Sequence, residues 1–200
     1  MKKLIFLISL ILFSFSLIFG QSSSTKYPGT VVELYTAVAW TSPDNVKLND
    51  NNPATVTLIG QASKCLKVTN FGFSIPSTAI IDSVVGGVYI KYTDLGDGVV
   101  YLSCNRLFYS DTKDSTLDIE GGTYITTGYA LYRFNSTHVV TPTEANASTF
   151  GWSMNAADEG LDWGSDVSCD YMNMTIYYHE SASTIRHRIV GYRKDEVLND

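Results

Sequence analysis

The chain has little of what catalysis and metal binding draw on. It holds three histidines, His138, His179 and His187, and three cysteines, Cys65, Cys104 and Cys169, among 200 residues. No Cys-x-x-Cys pair or Cys/His cluster occurs, so zinc and dithiol redox chemistry have no ligand set. No Gly-x-Ser-x-Gly elbow supports a Ser-His-Asp triad, although serines are plentiful. Paired glycosidase carboxylates could come from Asp158, Glu159 and Asp162, but neighbours on one loop rarely take opposite sides of a scissile bond. We read them as solvated turn residues, and the chain as non-enzymatic, with no catalytic, cofactor-binding or metal residue assigned. A convincing long amphipathic helix is also lacking. Parallel strands need crossover helices, so an α/β arrangement is disfavoured.

What is present begins with an export signal. Lys2 and Lys3 precede an uncharged run over residues 4–19, then the small residue Gly20 and the polar Gln21, Ser22, Ser23 and Ser24. That order is a secretory signal peptide over residues 1–20, cleaved between Gly20 and Gln21. The competing reading is an uncleaved anchor, because the apolar stretch approaches the roughly 20 residues of a spanning helix. The cleaved reading predicts a secreted or cell-surface protein with no membrane insertion after processing. Two of the 14 basic residues and none of the 20 acids fall in the signal, so the remainder carries a net charge of −8. Such a surface repels nucleic acid. Outside the cytoplasm disulfides persist, and the odd cysteine count predicts at most one internal bridge, leaving one thiol buried or paired with another chain.

After a short polar leader over residues 21–29, apolar and polar residues alternate in short runs separated by Gly, Pro, Asn and Asp clusters. The pattern predicts strands over 30–39, 54–59, 64–73, 83–93, 99–109, 123–134, 149–155 and 169–179. Eight runs rich in Tyr, Val, Ile and Thr suit one antiparallel β-sandwich of jelly-roll type over residues 30–180. Residues 181–200 read as a C-terminal tail. Within it, 185–190 has the composition of an extra strand able to pair with a neighbouring subunit's sheet.

Three stretches carry a resemblance. Trp40-Thr41-Ser42-Pro43 opens a turn, Phe71-Gly72-Phe73-Ser74-Ile75-Pro76 follows, and Asp170 precedes a strand ending in Tyr177-Tyr178. Together they resemble a loosely defined β-sandwich module of secreted, cell-surface and phage structural proteins. The resemblance spans most of residues 30–180 and implies fold and location but no catalytic residue. By alternation, Phe71 and Phe73 share one strand face. Gly72 lets another backbone approach, and Pro76 ends the ladder because it lacks a donor.

These observations predict an extracellular structural or interaction module, displayed on a surface or assembled into a particle or fibre. The alternative is a glycan-binding domain, and a secreted hydrolase ranks third. The expected partners are other protein subunits or surface glycans. Calcium is a further candidate partner, through the acid-bearing loops 44–52, 94–98 and 158–162, although ordinary Asx turns are the favoured reading of them. Trp40 and Trp163 border turns where an exposed ring could stack on a sugar, but burial is the expectation for both and for Trp152. Asn135, Asn146 and Asn173 each begin an Asn-x-Ser/Thr triplet; in a eukaryotic secretory route the first two are loop glycan sites and Asn173 lies hidden in a strand.

Overall fold

A computed structural model describes residues 21–94, 99–109, 114–118, 123–160 and 164–180. The strands are β1 (Ser22–Lys26), β2 (Thr30–Leu34), β3 (Ala54–Leu58), β4 (Cys65–Thr69), β5 (Ala79–Asp94), β6 (Val100–Phe108), β7 (Asp114–Asp118), β8 (Thr123–Tyr124), β9 (Ala130–Ser136), β10 (Gly151–Asp158) and β11 (Ser165–Glu180). All their pairings are antiparallel, and they form the two facing sheets of a β-sandwich. In the first sheet β11 pairs along its length with β5, which pairs with β9; the other edge of β11 is shared by β1 and β3. The second sheet runs β2, β4, β10, β6, with β8 beyond. Strand β7 pairs with β6 and then with β9, joining the sheets along one side.

Alternation fills the core. Val84, Val88 and Ile90 of β5 and Phe134 of β9 face Leu66 and Val68 of β4, Trp152, Met154 and Ala156 of β10, and Leu102 and Leu107 of β6. β11 contributes Val167 and Cys169, then Met172, Met174 and Ile176. The change from odd to even numbers marks a bulge between Cys169 and Tyr171, where Asp170 is the extra residue. Cys169 is a free cysteine, fully buried in this core, and burial pushes its thiol pKa far up.

Several expectations needed correction. The segment read as a polar leader is strand β1, because β11 offers its edge ladder from Met174 to Tyr178. The run over 30–39 stops at Leu34, where Tyr35 adopts a φ of 68°. The chain then turns so that the Trp40 indole is buried and donates to the Lys64 carbonyl at 2.9 Å. The run over 64–73 loses its ladder after Thr69, since Asn70 and Gly72 have φ values of 59° and 64°. Phe71, Phe73 and Ile75 still bury on one side. Nothing lies within 4 Å of a Cβ at Gly72, so its left-handed backbone and not a close approach calls for glycine. The run over 123–134 is two strands, split where the Thr126 amide bonds to the Tyr132 hydroxyl. Strand β7 and the one-turn helix α1 (Pro142–Ala145) were not anticipated. Residues 1–20, read above as a signal peptide, residues 95–98, residues 161–163 with Asp162 and Trp163, and residues 181–200 with His187 lie outside the described residues.

Candidate functional site

The two outer faces of the sandwich differ in how much of their polarity is already used. On the second sheet, Asn155 is nearly buried, accepts from Ser103 at 2.6 Å and donates to the Ser63 carbonyl at 3.2 Å. Lys67 lies 4.1 Å from the Phe108 ring centroid. That face is largely committed to its own neighbours.

The outer face of the first sheet is built otherwise. Antiparallel pairing puts Tyr171 opposite Tyr89, and Tyr89 opposite Leu131. One row further along, Asn173 faces Gly87 and Gly87 faces Arg133. The next row is Thr25, Thr175, Val85 and Asn135. Two tyrosines from outside the strands extend the first row. Tyr129, preceding β9, stacks on Tyr89 with centroids 4.9 Å apart, and Tyr27, following β1, meets Tyr171 edge-on at 5.7 Å. Tyr89 and Tyr171 stack at 5.1 Å. Four rings thus cross the sheet, with Tyr27 the most open at 39% exposure and the others half-buried.

Stacked rings present their edges and hydroxyls to solvent. Burial, then the charge of Asp170, raises the Tyr129 pKa; burial, then Tyr27, Tyr89 and Asp170, raises that of Tyr171, against a lowering influence of Arg133. Both hydroxyls therefore stay protonated donors at neutral pH. Beside the rings, Gly87 leaves room for the Asn173 amide to lie over the strand, and a Cβ there would collide with its Oδ1. Among the described residues the side chains of Asn173, Arg133 and Asn135 have no hydrogen-bond partner, whereas Thr25 and Thr175 share a bond at 2.8 Å. Sequence reasoning missed this face. Its signal was the outward phase of β5 and β11, hidden by the bulge and by two ring positions in loops.

Asp170 sits under the loop before β3, in the gap that β3 and β1 leave along β11. Its carboxylate is 1% exposed, faced by the backbone N–H groups of Asn51 and Asn52. Burial, then the charge of Asp50, pushes its pKa above the ordinary carboxylate range, and those N–H groups only partly offset the rise.

The other candidates do not converge. His138 stacks on Tyr109 at 3.9 Å and lies 3.8 Å from Glu144, while His179 pairs with Asp82 at 2.9 Å near the far end of β11. Among the described residues, no serine or cysteine side chain bonds to either ring to complete a triad. Asp158 accepts from the Gly160 amide at 2.8 Å, Asp44 pairs with Lys47, and Asp50 accepts from the Asn52 amide. Asp44 and Asp50 are turn-forming groups, whereas Asp158, expected as a solvated turn residue, is buried at the end of β10. Calcium is not supported: no group of three His, Cys, Asp or Glu residues gathers among the described residues. Trp40 and Trp152 are both buried, as expected. Asn146 does not behave as a free glycan acceptor, because its amide donates to the Ile75 carbonyl and accepts from the Ile75 N–H, both at 2.8 Å. Asn135 is exposed on β9.

No family model and no curated protein sequence matches the chain. Solved structures similar to it include a family 29 carbohydrate-binding module from Piromyces equi, at 11% identity and a TM-score of 0.37, covering 78% of this chain and 91% of that one. The CBM22-1 xylan-binding domain of Paenibacillus barcinonensis Xyn10C aligns at 9% identity and a TM-score of 0.38, covering 78% and 85%. A structure of infectious bursal disease virus, Gt strain, aligns at 13% identity and 0.27, covering 82% and 38%. At these values the functional reading rests on the geometry of the sheet face.

Proposed function

We propose that this protein is a non-catalytic, extracellular carbohydrate-binding module that takes its ligand on the outer face of the first sheet. The observation that carries the reading is the row of four tyrosines across β9, β5, β11 and β1, lying beside the unengaged side chains of Asn173, Arg133 and Asn135. Binding faces combine aromatic surface with a few fixed polar groups, and a saccharide offers both C–H surface and many hydroxyls. The tyrosine hydroxyls and the Asn173 amide match the hydroxyls, and the ring edges match the C–H surface. Rings locked against each other lose little conformational freedom on binding, which favours affinity. The signal peptide would deliver the module to the secreted or surface location where glycans are met.

The test is a glycan array probed with the secreted protein, followed by calorimetry on hits, with Tyr89→Ala and Tyr171→Ala as variants. Loss of binding by both, with the β-sheet circular dichroism retained, is expected. Wild-type affinity in both variants, or no glycan bound at all, overturns the proposal.

A second reading, assembly into a particle or fibre, draws on strand β2. Its ladder is shared only with β4 among the described strands, and Val32 on it and Tyr35 just beyond it are 48% and 64% exposed. Such an edge can accept a strand from another copy. Light scattering coupled to size exclusion decides it: a strict monomer at all concentrations removes this reading.

A further inference from the structure

The binding face carries two cations without a carboxylate partner on a chain that is acidic overall. Residues 21–200 have 20 acids against 12 bases, Lys67 rests on the Phe108 ring, and Lys64 and Lys47 are paired, with Glu33 and Asp44. Lys91 and Arg133 are not: neither has a carboxylate partner among the described residues. Lys91 rests its ammonium 4.7 Å from the Tyr129 ring centroid, and exposed Arg133 stands opposite Gly87. Two acids lie near this face, exposed Asp166 and buried Asp170, whose charge is felt at Tyr129 and Tyr171. Asp166 accepts from the Thr57 hydroxyl at 2.6 Å at the β3 edge, and Asp170 lies under the loop before β3.

We infer that the saccharide taken by this face is anionic, bearing carboxylate or sulfate groups that Lys91 and Arg133 receive on either side of the tyrosine row. This rests on the binding-face reading above and names its ligand class. Lys91 and the Gly87 that faces Arg133 are four positions apart on β5, about 13 Å along the strand. A polymer with repeated charged groups can reach both, whereas a single small anion reaches one. Arg133 presents a planar fork suited to two parallel bonds with a carboxylate or sulfate, and Lys91 a point charge. An anion placed here also avoids the general repulsion of an acidic surface, because the local potential follows the nearest unpaired charges.

The experiment is calorimetry of the secreted protein against an oligogalacturonate, a heparin-derived oligosaccharide, and uncharged cello- and xylo-oligosaccharides, at about 50 mM and about 500 mM salt. One or both anionic probes are expected to bind at least about ten-fold more tightly than the uncharged ones at low salt, with the advantage shrinking at high salt. The carboxylated and sulfated arms identify the charged group. Arg133→Gln and Lys91→Gln should each remove most of the advantage while residual binding of uncharged probes persists, and Lys47→Gln should leave it intact. Equal binding of charged and uncharged saccharides, or an advantage lost equally in Lys47→Gln, overturns the inference and leaves the carbohydrate-binding reading standing. No binding of any saccharide overturns both.

Discussion

Gly86 and Trp152 face each other across the core, and their contact can be tested as a pair. A Cβ on Gly86 would lie 2.9 Å from Trp152 Cδ2, 3.1 Å from Cε2 and 3.2 Å from Cε3. The indole cannot retreat easily: it is fully buried, packs against Phe134 at 5.7 Å and donates its N–H to the Asn173 carbonyl at 3.0 Å. Gly86→Ala should therefore cost about 1–3 kcal/mol by overpacking. Trp152→Phe removes that hydrogen bond, worth about 1 kcal/mol, and part of the ring, worth about 2 kcal/mol more. In the double variant the smaller phenyl frees the space above residue 86 and the new methyl fills it. The combined loss should fall short of the sum by about 1–2 kcal/mol. Urea unfolding followed by far-ultraviolet circular dichroism measures all three variants without relying on the lost tryptophan, and equal m-values confirm comparable unfolded states. For a domain of this size each kcal/mol moves Tm by about 2–4 °C. Additive losses, within about 0.5 kcal/mol, would show that steric contact with Trp152 is not why residue 86 is glycine.

Asp170→Asn should raise stability at pH 7. A carboxyl whose folded pKa lies above its unfolded value holds more protons when folded, so it destabilises the fold increasingly as pH rises from the unfolded to the folded pKa. The gain over wild type should fade on acidification to about pH 3, and a lower Tm for the variant at neutral pH would refute this. Non-reducing mass mapping is expected to place Cys65 in a single intramolecular bridge and to find Cys169 as a thiol that alkylates only after unfolding; ready labelling of Cys169 in the native protein contradicts its burial. Asn146→Ala should cost about 1–3 kcal/mol through two lost bonds to Ile75, and peptide mapping of protein from eukaryotic cells should find residue 146 unmodified. A glycan there would mean that the Ile75 contact is dispensable.

Much of the β architecture could be read from alternation alone, and the places where the reading failed share a cause. All eight predicted runs contain or run into a strand close to their expected positions because one face of each must be apolar. Residues 30–39 misled because Val38 and Trp40 look like a continuing alternation, while the ladder ends at Leu34 and the chain takes a positive φ at Tyr35 before Trp40 enters the core. Ser22, Ser23 and Ser24 have no apolar alternation at all, yet they form a strand because β11 supplies the ladder. A polar edge strand of that kind leaves no local signature.

Alternation within each segment was enough to point to an all-β chain, since that property depends on near neighbours. Which residues share the outer face of the first sheet was a matter for tertiary structure. Tyr27, Tyr89, Tyr129 and Tyr171 are far apart in the chain, and two of them belong to no strand. They meet because long-range pairing sets the register and because the bulge at Asp170 reverses the phase of β11, turning Tyr171 and Asn173 outward while Met172 and Met174 enter the core.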